Sequence, residues 1–277
     1  MSNSPVAKKP KFSMAIQQDN YKKLINNTLQ DPKRAGRFIA SISSAVATNP
    51  ALQECNAGTI LSCALLGESL ELSPSPQLGQ YYLVPFNDKA TFILGYKGYI
   101  QLAIRSGQYK KLNVVAIKKG ELVKFDYLNE EIEINLIQDE GQREVAETIG
   151  YYAMFEYLNG FRKAIYWSKE RMEKHALQYS KAYQSDRNRG WNNSFWTKDF
   201  DGMAYKTMLR QLISKWGIMS IEMRTAFESD NSTINEDGTT QPIDMDTDPT
   251  TNLPDIPQEE VTQSNVEPVE NLTLDEL

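Results

Sequence analysis

The chain has 277 residues, with 30 Lys plus Arg, 36 Asp plus Glu, one His and two Cys, a net charge of -6 and a pI near 5.1. One His closes off His-centred triads and metal clusters. Cys55 and Cys63 lack the short paired spacing of a zinc site and read as buried free thiols, and no GxxxxGK[ST] phosphate loop is present. Taken whole, the charge speaks against a nucleic-acid partner, but the last basic residue is Arg224 and residues 229–277 hold 13 acids. Residues 1–228 therefore carry 30 basic against 23 acidic side chains, a net of +7.

Residues 1–15, with Lys8, Lys9 and Lys11 around Pro5 and Pro10, read as a flexible basic arm without the apolar stretch of a secretory signal. Residues 16–228 read as one large domain, and no apolar run in the chain approaches the roughly 18 residues of a membrane span. A cytoplasmic protein with no membrane partner is expected. Over 20–48, apolar residues recur at three and four residue spacing, broken at Asp31 and Pro32, which predicts two helices. A third starts near Asn56 and is closed by Pro74 and Pro76. Short runs at 80–85 and 90–94 about Asn87 and Asp88 predict a hairpin, followed by a helix over 95–105.

The period then changes to two in Val123, Phe125 and Tyr127, in Ile132, Ile134 and Leu136, and in Tyr151, Ala153, Phe155 and Tyr157. Such alternation predicts an antiparallel sheet with one buried face, and Asn159-Gly160 folds 148–157 back on 161–167. Ser168 caps a helix over 169–184, a polar loop spans 184–193, and a last helix runs over 196–216. The fold class is α+β, with N-terminal helices, a central antiparallel sheet with hairpins, and C-terminal helices. Residues 229–277, with five of the twelve prolines and no aromatic residue, read as a disordered acidic tail.

Three groups of cations stand out. Lys206 and Arg210 lie about 200 degrees round the last helix from its apolar row of Ala204, Met208, Leu212 and Trp216. Their neighbours on that face are Lys198, Gly202 and Ser214 rather than acids, which predicts cations free for a phosphate backbone. Lys215 faces another surface. Lys110, Lys111, Lys118 and Lys119 bracket a strand, preceded by Lys97 and Arg105. Arg162, Lys163, Lys169, Arg171 and Lys174 follow. Aromatic residues interleave throughout, among them Tyr96, Tyr99, Trp167, Trp191 and Trp196, the composition of surfaces that hold single strands by stacking and charge. His175 is expected on the surface. The carboxylates are ordinary: Asp199 and Asp201 suit a helix start, and Glu156 lacks the partner Asp of a metal nuclease. No catalytic residue, metal or cofactor is assigned.

Two long blocks then resemble a known family. Asn49-Pro50 with Leu52 and Cys55, Ile60 to Leu70, Gly79-Gln80-Tyr81-Tyr82-Leu83-Val84-Pro85-Phe86 and Ala90-Thr91-Phe92-Ile93-Leu94-Gly95-Tyr96-Lys97-Gly98 resemble the signature of the RecT family of phage recombinases. Trp196 with Asp199-Phe200-Asp201-Gly202-Met203-Ala204-Tyr205-Lys206-Thr207 and Arg210 is similar to its C-terminal motif, with Gly202 standing where Ala is more usual. The resemblance covers about residues 20–220. It implies an ATP-independent annealing protein, not an enzyme, that coats single-stranded DNA, pairs it with a complementary strand and assembles into rings or helical filaments, on a Rad52-like annealing fold. It carries Lys97, Lys206 and Arg210 over as DNA contacts, with Tyr96 and Trp196 in the same motifs. Arg105, Lys110, Lys111, Lys118, Lys119, Arg162, Lys169, Lys198 and Lys215 rest on charge. The alternatives left open are a Mg²⁺-dependent phage exonuclease and a passive single-strand coating protein. The acidic tail reads as a solubilising extension, as a competitor for the groove, or as a dock for host single-strand binding protein or a phage exonuclease.

Overall fold

A computed structural model describes residues 11–235 and 237–242. The N-terminal third is helical: α1 Phe12–Ala15, α2 Asp19–Leu29, α3 Pro32–Ala47, a 3-10 turn at Pro50–Glu54 and α4 Ala57–Ser69. The break between α2 and α3 arises as the sequence implies. Asp31 accepts the Lys33 backbone N–H, and Pro32 occupies a first-turn position where its missing N–H costs nothing. Asn56 caps α4 in the same way through Gly58. α1 corrects the expectation for residues 1–15, because Phe12 is only 2 % exposed and packs into the core under α3. Residues 1–10 lie outside the described residues.

The hairpin β1 Tyr81–Phe86 and β2 Lys89–Leu94 turns on Asn87, at φ 53, and leads into α5 Tyr96–Arg105. The middle of the chain holds β3 Tyr109–Lys118, β4 Leu122–Asp126, β5 Glu131–Ile134, α6 Glu140–Val145, β6 Thr148–Tyr157 and β7 Arg162–Ser168. An antiparallel sheet has the order β3-β6-β7, and β4 and β5 form a separate hairpin. Gly160, at φ 87, closes the β6–β7 turn at the Asn-Gly pair. Both faces of the three-stranded sheet are covered, not one. Tyr151, Ala153, Phe155 and Tyr157 pack with Met172, Met208 and Leu212, whereas Tyr152 and Tyr166 on the opposite face meet Phe125 and Ile132 of the β4–β5 hairpin.

The helix expected over 169–184 is two, α7 Lys169–Tyr179 and α8 Lys181–Arg189, broken where Ser180 turns extended and its hydroxyl caps Tyr183. α8 runs through most of the loop expected at 184–193 and ends on Gly190, at φ 68. The last predicted helix divides into α9 Phe195–Lys198 and α10 Phe200–Trp216, because Asp199 leaves helical geometry to cap Gly202. Beyond it come α11 Ile221–Ser229, β8 Ser232–Ile234 and β9 Thr240–Pro242. β8 pairs antiparallel with β2 and extends the first sheet to the order β1-β2-β8-β9. Residues 229–235 are thus built into the core rather than the tail. Residues 243–277 lie outside the described residues. Cys55 and Cys63 are free and buried, and burial pushes the Cys63 thiol up to about 12.

Candidate nucleic-acid interface

The two sequence blocks that resemble one family are far apart in the chain and meet at one cleft. The first block reaches it through a close backbone approach. α5 starts beside the segment entering β1, with the Gly95 N–H donating to the Gln80 carbonyl at 2.9 Å. A Cβ on Gly95 would be driven into the Gly79 carbonyl oxygen, and one on Gly98 into that of Gln80. Both positions need glycine for space. This contact sets Tyr96 at the cleft wall, while the stem of Lys97, which does not line the cleft, lies next to Gly79.

The second block enters on α9 and α10. Buried Asp186 holds the loop before them, accepting from the Asn193 and Ser194 N–H groups at 3.0 and 2.8 Å and from the Thr197 hydroxyl at 2.7 Å. Burial alone would raise that carboxyl, yet these hydrogen bonds bring it down to about 2. Phe195, Met203, Lys206 and Arg210 then line one side, Tyr82, Leu94 and Tyr96 the other, and His175 and Tyr179 of α7 a third. The cleft encloses about 270 Å³. His175 is not the surface residue expected from sequence: it is half-buried, with its ring 5.3 Å from Trp167 and 4.7 Å from Tyr179.

The floor corrects the expectation of free cations. Lys206 is 7 % exposed, and its Nζ lies 2.9 Å from Asp230 Oδ1; Arg210 Nη1 lies 2.7 Å from Asp230 Oδ2. The same carboxylate accepts the Leu94 N–H at 2.9 Å and the Tyr99 hydroxyl at 3.0 Å. Burial works to raise the Asp230 carboxyl, but Lys206 and Arg210 outweigh it and hold it below the usual carboxylate range. Lys206 and Arg210 thus share one buried carboxylate, Asp230, at the bottom of an aromatic cleft whose lining also includes Asp199. The partner is 24 residues from Lys206 and 20 from Arg210, beyond any helical neighbour rule. A sequence signal for it did exist: Ser220 followed by Met223, Ala226 and Phe227 marks a capped helix that extends the fold to Asp230.

The other predicted residues are scattered. Trp196 is buried against Tyr183 and Phe200, so it builds the cleft from within the core. Lys198 is exposed at the end of α9. Arg105 pairs with Glu71 at 3.2 Å and donates to the Leu70 carbonyl, on a different pocket. Lys110 and Lys111 share Glu156 at 2.6 and 3.5 Å, Lys118 bonds the Thr148 hydroxyl, and Lys119 pairs with Glu147. Arg162, Lys169 and Lys215 are exposed. Tyr99 is entirely buried. Of the predicted set, the cleft gathers Tyr96, Trp196, Lys206 and Arg210, and Lys97 is not in its lining. Phe195 and Tyr179, of the interleaved aromatic residues, join them, as do Tyr82 and His175, which were not singled out as contacts.

The two carboxylates at the start of α10 are already engaged. Asp199 caps α10, and Asp201 accepts from the Tyr151 hydroxyl at 2.6 Å. Among the described residues, no group of three or more His, Cys, Asp or Glu side chains is placed to hold a metal ion, and no helix is long and apolar enough to cross a membrane.

Comparison with known proteins covers both blocks. The chain is 45% identical over 213 residues to a protein of Bacillus subtilis (strain 168) named "Uncharacterized protein YqaK", covering 77% of this chain and 68% of that one. It is 29% identical over 223 residues to "Protein RecT" of Escherichia coli (strain K12), covering 78% of each. Residues 36–245 match the family model described as "RecT family", a span that includes both blocks, α11 and the strand that follows Asp230. The chain belongs to the RecT family, and so, at the level of the family, to the single-strand annealing recombinases.

Proposed function

We propose that this protein binds single-stranded DNA along the cleft, assembles on it as a ring or helical filament, and pairs complementary strands without ATP during phage homologous recombination in the bacterial cytoplasm. The observation that carries this reading is the meeting of both sequence blocks at one cleft with aromatic walls and with Lys206 and Arg210 in its floor. Annealing requires strands held by their backbones with base edges left free. Fixed cations neutralise phosphate charge, and aromatic planes accept any base by its face. Asp230 holds Lys206 and Arg210 immobile, so little side-chain entropy remains to be lost when a phosphate arrives. Lys97 and Lys198, exposed and without an ion pair among the described residues, supply charge from outside. The annealed duplex is the product that the same surface releases or retains. Residues 243–277, with their acids, are the segment through which host single-strand binding protein or a phage exonuclease docks.

The test is a fluorescence-quenching assay of two complementary oligonucleotides with no nucleotide added. Faster renaturation with protein than without supports the proposal. Binding without acceleration makes the protein a passive coat, and shortening of end-labelled DNA with Mg²⁺ makes it a nuclease.

A further inference from the structure

α10 carries cations on two sides. Lys206 and Arg210 point into the cleft, whereas Gln211, Lys215 and Trp216 line a second groove of about 260 Å³. Its other walls are β7, the start of α7 and the β4–β5 hairpin with the turn that follows β4. Two large aromatic side chains stand open there. Trp216, expected in the core row of its helix, is 47 % exposed, and Tyr127 is 69 % exposed. Neither plane is loose. Lys163 Nζ sits 3.8 Å from the centre of the Trp216 ring, and Tyr127 meets Phe125 edge-on at 4.9 Å. Arg171 lies 4.2 Å over Trp167 at the same groove, and Lys215 is exposed with no ion pair among the described residues. The carboxylate in the lining, Glu130, is committed to Lys163 and to the Ala164 N–H.

We propose that this groove is a second single-strand site, in which bases of the incoming complementary strand stack on Trp216 and Tyr127 while its phosphates meet Lys215 and Arg171. It rests on the reading of the cleft as the site of the first strand. Exposed aromatic planes beside cations with no competing acid fit single-stranded nucleic acid, since each nucleotide brings one face to stack and one negative charge. A second copy of the chain would need an acidic face to match Lys215 and Arg171. The placement also suits pairing. α7 borders both sites, with Arg171 in the groove and His175 and Tyr179 in the cleft, four residues apart and therefore about 6 Å per step along the helix. Arg171, His175 and Tyr179 lie along one face of that helix, so the two strands would run past successive turns of it.

The experiment loads the full-length protein with a saturating unlabelled oligonucleotide and then measures capture of a fluorescent, non-complementary one. Trp216→Ala and Lys215→Glu are expected to reduce second-strand capture and the annealing rate about tenfold while first-strand affinity stays within twofold. Trp216→Phe should retain capture. Lys215 is exposed, so Lys215→Glu tests the site even if Trp216→Ala fails to fold. Unchanged capture in Lys215→Glu overturns the proposal, as does loss of the oligomer in that variant on gel filtration, which would make the groove a contact between copies. Phe195→Ala, in the cleft lining and 42 % exposed, separates the two readings: unchanged first-strand affinity there refutes the cleft, whatever the groove does.

Discussion

Lys206, which lines the cleft, and Lys97, which follows the cleft residue Tyr96, are opposite kinds of cation. Lys206 is buried on a carboxylate that also holds Arg210, Tyr99 and a backbone N–H; Lys97 stands in solvent beside Gly79, without an ion pair among the described residues. The first is part of what keeps the last strand on the sheet. The second is free to answer to a ligand. Sequence position on a helix wheel finds which side a charge faces, and it says nothing about the element that later covers that side. The two residues should therefore respond in opposite ways to substitution.

The largest effect is expected at the shared partner. Asp230→Ala leaves two cations at the floor without their counter-charge, which should cost about 3–5 kcal/mol in urea unfolding. A stability equal to the parent's would mean that the cations face solvent and that the sequence-based expectation was right after all. Next is Arg210→Ala, which leaves Asp230 with Lys206 but removes its bond to the carboxylate and its packing over Phe227, for roughly 2 kcal/mol. Its loss of DNA binding could not be read apart from its loss of structure.

The same contrast has a pH signature. Because the folded carboxyl of Asp230 lies below its unfolded value, its contribution is fully present above the unfolded value, near pH 4, and is lost as pH falls through the folded one. The stability lead of the parent over Asp230→Asn should hold from neutral pH to about pH 4 and shrink below it. A lead that shrinks as pH rises instead would reverse the assigned sign.

The elements that local chemistry decides were legible in the sequence. Asp31-Pro32, Asn56, Asn87 and Asn159-Gly160 each act on neighbours within a few residues, so the helix break, the cap and both turns fall where the residues place them. The region after residue 228 was not. Residues 229–277 were read as one block, although Asp230 and Ile234 are buried and Ser232 pairs with Phe92. That placement depends on contacts more than 130 residues away, as in the bond from Leu94 to Asp230. The candidate site divides the same way. Its motif residues Tyr96, Lys97, Trp196, Lys206 and Arg210 were found as strings, whereas His175 and Tyr179 come from a helix between the blocks and reach the cleft only through the packing of α7.

Smaller effects sharpen the comparison from the exposed side. Lys97→Ala should leave stability within about 0.5 kcal/mol while lowering the slope of log affinity against log salt on single strands by roughly 0.7. An unchanged slope would remove Lys97 from the contacts. Lys110→Ala is expected to do least, because Glu156 keeps Lys111 and the pair it loses is solvent-screened. A drop in single-strand affinity as large as that of Lys97→Ala would move the binding surface onto β3.

The most direct test is photocrosslinking of the full-length protein to an oligothymidylate carrying 4-thiothymidine, with the crosslinked peptides identified by mass spectrometry. Binding along the cleft places crosslinks within residues 79–98 and 195–210, with Tyr82, Tyr96 and Phe195 as the receiving rings. Crosslinks confined to the β3 cations and to the N-terminal helices, with both of those segments unlabelled, would contradict it.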